Sequence, residues 1–325
     1  MMRNVSEMDL NLELFGQRMS MPIFVSPAGE RRSAHKLMDP EGEIATIRAC
    51  GAAGTLMGVS QHANVSLEDI AAAAPQCPRW FQLYILKDRE LTADIVKRAE
   101  VAGYNAICVT VDSVRFGSRE ADWRNGFIGL PPGLTLPNYP SKARHRAKGA
   151  WDQNTEKLFD ERATWTDIVW LKTLTSLPIL VKGILNPQDA VDAIEAGADG
   201  MIVSNHGGRA LDGALSSIES LGAVVKAVRS HERGEDVPIL LDSGVRRGTD
   251  VLKALALGAT AVLLGRPVFF SLAVGGQEGV IKMLSIVREE LEAAMALCGC
   301  QSLRDITEDL VAHRGGGTIF ARPRL

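Results

Sequence analysis

Eight short apolar segments recur along the chain, each ending in polar residues and followed by a stretch of helical periodicity. They cover residues 22–26, 55–59, 79–83, 106–111, 179–182, 200–204, 237–241 and 261–265. Continuous apolar runs of this length, bounded by turn residues, are what strands buried on both faces look like, and such strands are parallel and joined by helices. Helix starts are marked between them. Asp39-Pro40 and Asn186-Pro187 place a capping residue before a first-turn proline, and Ser66-Leu67-Glu68-Asp69 resembles a capping box. The alternation predicts an α/β fold, a single (β/α)8 TIM barrel occupying residues 1–325. A doubly wound open sheet is the competing arrangement. The barrel is preferred because polar residues follow nearly every strand, as around a ring, where an open sheet would gather them at one crevice.

Two regions break the alternation. Within residues 1–21, segments 10–14 and 18–20 predict a hairpin across Phe15-Gly16 that caps the lower end of the barrel. Residues 113–163, after the fourth strand, are rich in Pro, Gly and basic residues, and predict a lid over the mouth, with a disordered insertion as the alternative.

Composition excludes several classes of function. With 36 Lys and Arg against 39 Asp and Glu the net charge is −3, and the basic residues are dispersed, so no nucleic acid is expected as a partner. One basic cluster, Lys142, Arg144, Arg146 and Lys148, reads as solvated surface. Five cysteines without paired CxxC spacing predict reduced thiols and no metal site. No apolar run approaches the roughly 20 residues that span a bilayer, and the reading is a cytoplasmic protein.

In a barrel the chemistry lies at the C-terminal ends of the strands. There, the run Ser204-Asn205-His206-Gly207-Gly208-Arg209 offers a group that titrates near neutral pH beside a forked cation, which suits chemistry next to a carboxylate. Asp112 ends the fourth strand; it serves either as a turn cap or as the carboxylate that orients His206. Gln82 and Tyr84 share one strand face and can address one ligand. Lys182 either caps the core by snorkelling or supplies a fixed positive charge to a bound cofactor. After the last two strands, Asp242-Ser243-Gly244-Val245-Arg246 and Gly265-Arg266 combine exposed backbone amides, helix starts and arginines, the usual phosphate site of this fold. One phosphate and a rim of mixed donors and acceptors fit a mononucleotide such as FMN.

Taken together, these residues resemble the FMN-dependent 2-hydroxy acid oxidase and dehydrogenase family. The resemblance runs from about Val5 to the C-terminal helices. It rests on Phe81-Gln82-Leu83-Tyr84, Thr110-Val111-Asp112, Arg119-Glu120-Ala121-Asp122, Leu180-Val181-Lys182-Gly183, the His206 run and Asp242 to Gly248, all in family order. It implies FMN held by Pro27, Ala28, Gly29, Ser60, Gln82, Thr110, Lys182, Ser204, Asp242, Ser243, Gly244, Val245, Arg246, Gly265 and Arg266. It also implies a substrate carboxylate held by Arg119 and Arg209, with Tyr84 and Gly29 nearby. The implied activity is oxidation of an L-2-hydroxy acid to the 2-oxo acid, with His206 as base, and oxygen or a redox partner taking the electrons. A homo-oligomer, a tetramer by the family pattern, is implied as well.

Three departures from the family pattern stand out. Family members carry a further N-terminal helical segment bearing a substrate-binding Tyr, which has no counterpart where this chain opens at the hairpin. The segment 30–38 is longer by a few residues. Gly29 stands where Ala is usual, and His62 where glycolate oxidases often have Trp; both predict a roomier substrate pocket. The competing functional readings are an impaired, non-catalytic FMN-binding barrel and an FMN-dependent isomerase without net redox. Finally, Pro323-Arg324-Leu325 resembles a peroxisomal address, the alternative location should the host be eukaryotic.

Overall fold

The computed structural model describes residues 3–29, 35–118, 120–127, 130–139, 155–314 and 317–320. Two short antiparallel strands come first, β1 (Leu12–Leu14) and β2 (Gln17–Met19). Phe15 and Gly16 between them have φ of 50° and 71°, the mirror-image turn whose twist matches that of the strands. Eight parallel strands follow: β3 (Ile23–Val25), β4 (Met57–Ser60), β5 (Arg79–Leu83), β6 (Ala106–Thr110), β7 (Ile179–Ile184), β8 (Gly200–Val203), β9 (Ile239–Asp242) and β10 (Ala261–Leu264). Each pairs with its neighbours in chain order and β10 returns to β3, so the sheet closes into a barrel. Every expected strand is present, with bounds shifted by at most two residues.

Helices fill the connections: α1 (Glu43–Ala53), α2 (Leu67–Ala73), α3 (Arg89–Val101), α4 (Glu120–Arg124), α5 (Trp165–Leu174), α6 (Pro187–Glu195), α7 (Ser217–Arg229), α8 (Gly248–Ala256) and α9 (Arg266–Cys298). Asn186 caps α6, its side chain accepting from Gln188 N, and Ser66 caps α2 by accepting from Asp69 N. Asp39 does not cap α1 as its place before Pro40 predicts. The helix begins at Glu43 behind Gly42, while the Asp39 carboxylate accepts from Glu41 N in a local turn.

Strand side chains alternate between two cores. Phe24, Leu56, Trp80, Ala106, Cys108, Leu180, Ile202, Leu240, Ala261 and Leu263 fill the barrel interior, and Leu14 and Met19 of the hairpin join them. Phe15, at the hairpin tip, meets Trp80 with ring centroids 6.0 Å apart. The hairpin thus plugs the lower end of the barrel, as expected. The alternate residues, among them Ile23, Phe81, Ile107, Val181 and Val262, pack outward in the larger core beneath the helices.

One expectation about membranes needs correction. The helix α9 is long and apolar enough, by length and composition, to cross a bilayer. Its backbone leaves helical geometry at Gly275 and Gly276, however, and the helix packs on α1 and α8. Of the segment 113–163, residues 119, 128, 129 and 140–154 lie outside the described residues. Leu136, Asn138 and Tyr139 are buried, and the Asn138 amide donates to Gln61 O while its oxygen accepts from Leu67 N.

Candidate active site

At the upper end of the barrel the inward register turns from apolar to polar. Ser26, Gln82, Thr110, Lys182, Ser204 and Asp242 each stand two residues beyond the inward-facing Phe24, Trp80, Cys108, Leu180, Ile202 and Leu240, and all six are buried. Period-two alternation therefore carries the core straight into a polar layer. Above it opens a cavity of about 680 Å³.

The polar layer is knitted together. Lys182 Nζ lies 3.3 Å from Asp242 Oδ2 and donates to Ser204 Oγ at 3.2 Å. Ser26 Oγ donates to Asp242 Oδ2 at 3.1 Å, and Ser243 Oγ donates to Oδ1 at 2.8 Å. Burial opposes a charge on Lys182, but Asp242 and Asp112 facing it hold its proton affinity above the ordinary lysine value. Lys182 is thus a fixed cation under the cavity. Across the floor, Gln82 Nε2 donates to Thr110 Oγ1 at 3.0 Å, and Gln82 Oε1 accepts from Ser60 Oγ at 3.2 Å.

Just past β8, His206 has φ 58°, a left-handed backbone conformation that few non-glycine residues adopt, asparagine, aspartate and histidine more often than others. Its N–H donates to Ser204 Oγ at 3.0 Å. The ring turns Nδ1 to Asp112 Oδ1 at 2.8 Å, with Ser113 Oγ 3.2 Å away. Nε2 remains for the cavity, which His206 lines. Burial pushes the Asp112 carboxyl up, but hydrogen bonding to His206 and the Lys182 charge outweigh it and hold the group below its ordinary value. Gly183 makes room for this carboxylate: at φ 114°, a Cβ on Gly183 would lie 2.6 Å from Asp112 Cβ.

The other end of the cavity suits a phosphate. A Cβ added to Gly244 or Gly265 would meet nothing within 4 Å, so both backbones face open space. Helix α9 starts at Arg266 with no side-chain cap and no acidic residue in its first turn, leaving its positive end to a ligand. Arg246 and Arg266 stand beside it on the cavity wall, Arg266 also donating to Gly207 O at 2.8 Å. A helix terminus with two arginines, a polar floor and a buried cation fit FMN.

The cavity brings together Pro27, Ala28, Gly29, Ser60, Gln82, Tyr84, Thr110, Lys182, His206 and Arg209, together with Asp242 to Arg246, Gly265 and Arg266. Ser204 and Asp112 stand behind this lining, hydrogen-bonded to Lys182 and His206 respectively. Arg119 lies outside the described residues. Sequence reasoning missed Ser26, Gly207, Leu263, Pro267, Phe269 and Phe270, which also line the cavity. Ser26 was open to discovery by the same count of two from an inward residue.

The extra room expected at Gly29 is not there. A Cβ on Gly29 would sit 2.9 Å from Ser60 Cβ and 3.0 Å from Ser60 Oγ, so Ser60 already fills that space. His62 is buried, stacked on Tyr84, Tyr139 and Phe159 at centroid distances of 5.3, 5.7 and 5.9 Å.

The sequence profile of the FMN-dependent dehydrogenase family matches residues 1–313. This chain belongs to that family. It is 47% identical over 313 residues to glycolate oxidase of Spinacia oleracea, covering 95% of this chain and 82% of that one. It is equally 47% identical to 2-hydroxyacid oxidase 1 of Mus musculus, covering 96% and 83%. A solved structure of mandelate oxidase superposes with a TM-score of 0.83 at 42% identity, covering 95% and 83%. The protein is therefore an FMN-dependent oxidoreductase, and the enzymatic reading prevails over that of a non-catalytic barrel.

Proposed function

We propose that this family member oxidises an L-2-hydroxy acid to the 2-oxo acid. The observation that carries this reading is the His206–Asp112 pair, with Nδ1 engaged at 2.8 Å and Nε2 left to the cavity that Arg209 and Tyr84 share. Bound FMN supplies the two-electron acceptor. Nε2 of His206 takes a proton from the substrate, and the Asp112 carboxylate stabilises the imidazolium so formed. Arg209, with Arg119, grips the substrate carboxylate, and Tyr84 hydrogen-bonds beside it. Lys182 offers its charge to the cofactor ring from below. Phe116 and Phe159, packed against His62 and each other, support reading 113–163 as a cover for the mouth.

Electrons leave to oxygen or to a redox partner. All five cysteines are free thiols, which supports a reducing compartment, the cytoplasm, with a peroxisome as the alternative in a eukaryotic host. The exposed Phe270 and Val274 support a homo-oligomer, a tetramer on the family pattern, measurable by light scattering.

A visible spectrum of the purified protein tests the main proposal. Flavin bands that bleach anaerobically on adding a 2-hydroxy acid are expected. Bands that no such acid bleaches would overturn it.

A further inference from the structure

His35 is 1% exposed and takes no part in the chemistry above. Its ring makes one hydrogen bond at each nitrogen: Nε2 lies 3.1 Å from Ala28 O, and Nδ1 lies 3.0 Å from Thr46 Oγ1. A carbonyl oxygen only accepts, so Nε2 carries the hydrogen and donates it. Burial holds the proton affinity of His35 below the ordinary histidine value, so the ring is neutral and Nδ1 accepts from the Thr46 hydroxyl. The ring also meets Phe269 in a T-shaped contact with centroids 4.8 Å apart. One imidazole thus joins the loop after β3, helix α1 and the first turn of α9.

The grip on Ala28 O fixes the plane of the Ala28–Gly29 peptide. That peptide is trans, so its C=O and N–H point in opposite directions. With the carbonyl turned to a buried ring, the Gly29 N–H points away from that ring, and both Ala28 and Gly29 line the cavity. The next carbonyl, Gly29 O, lies 3.1 Å from Ser60 Oγ, a hydroxyl whose one hydrogen it shares with Gln82 Oε1, so the loop is tied on both sides of Gly29.

We propose that His35 is a positioning residue for the cofactor: by holding Ala28 O it presents the Gly29 N–H as a fixed donor to the ring of bound FMN. The phosphate end lies elsewhere, at Arg246, Arg266 and the start of α9, so the effect falls on the ring. The inference needs only that FMN binds, and a failure of hydroxy acid oxidation would leave it standing.

The test titrates apo-protein with FMN and, separately, with riboflavin, following flavin fluorescence, for the wild type, His35→Leu and His35→Gln. Leu fills most of the space without a donor, whereas Gln can still donate to Ala28 O; thermal melts check that each variant folds. Loss of one positioned donor should weaken both ligands about tenfold in His35→Leu, the scale of a single hydrogen bond. The absorption band of the bound ring should shift as well, and His35→Gln should restore both. If His35→Leu does not fold, His35→Met serves as the donorless variant. Unchanged affinity and band in a folded donorless variant would overturn the proposal. So would a Gln variant as weak as the donorless one, which would reduce His35 to packing, or a loss for FMN that riboflavin does not share.

Discussion

Asp112 meets His206 at Nδ1, 2.8 Å from carboxylate oxygen to ring nitrogen, and the closeness depends on a glycine. Gly183 lies against the Asp112 side chain where any Cβ would clash, so β7 contributes both a cation, Lys182, and the space beside it. The carboxylate is thereby placed between two groups that favour its charge. A His oriented in this way has a defined tautomer before any substrate arrives, which is the preorganisation that proton transfer requires.

Replacing His206 with Gln should leave FMN bound, because the phosphate end of the cavity is built from other residues. Reduction of the flavin by the best hydroxy acid should slow by ~10²–10⁴-fold, the scale of a lost general base. Stopped-flow absorbance reads both quantities on one sample. A nearly unchanged rate would remove His206 from the role of base.

Asp112→Asn keeps the shape of the side chain and removes its charge. Turnover should fall, and the consequence for stability has a definite sign. The carboxyl is held below its ordinary value of 3.8, so its contribution is present above that pH and fades as pH falls through the lowered value. The wild type should therefore lose its advantage in melting temperature over the variant below about pH 4. A difference between the two that is independent of pH from 3 to 7 would contradict this account.

Much of this site was legible because one rule governs both fold and chemistry. Apolar alternation locates Trp80, Cys108, Leu180, Ile202 and Leu240 inside the barrel, and two residues onward the same rule delivers Gln82, Thr110, Lys182, Ser204 and Asp242. What escaped depends on contacts between distant segments. The filling of the Gly29 space by Ser60 and the hold of His35 on Ala28 follow from how loops approach one another, which no local pattern encodes. Phe269 and Phe270 look like ordinary helix residues until α9 is seen to begin at the cavity rim. Asp39 misled for a related reason: a residue before proline suits a turn as well as a helix start.

Arg209→Lys tests the clamp. Arg209 stands on the cavity wall with His206, and a lysine keeps the charge but loses the planar fork that pairs with a carboxylate. Substrate use should drop by about tenfold or more, roughly the weight of one charge-assisted hydrogen bond, with the resting flavin spectrum unchanged. Equal kcat/KM for the two proteins would exclude Arg209 as the carboxylate ligand.

Substrate size gives the last prediction. His62 does not line the cavity, but it stacks behind Tyr84, which does, and Tyr84 in turn stacks on Phe159 with centroids 4.3 Å apart. An imidazole in that place takes less space than an indole, so Tyr84 and Phe159 can settle outward and leave volume over the cavity. Mandelate-like or longer aliphatic 2-hydroxy acids should therefore show higher kcat/KM than glycolate. His62→Trp should reverse the order by pushing Tyr84 inward, since a packed aromatic cluster yields to added volume only by displacement. A wild-type enzyme that prefers glycolate to every larger acid would refute the argument, as would a His62→Trp variant that folds, binds FMN and keeps the wild-type ranking.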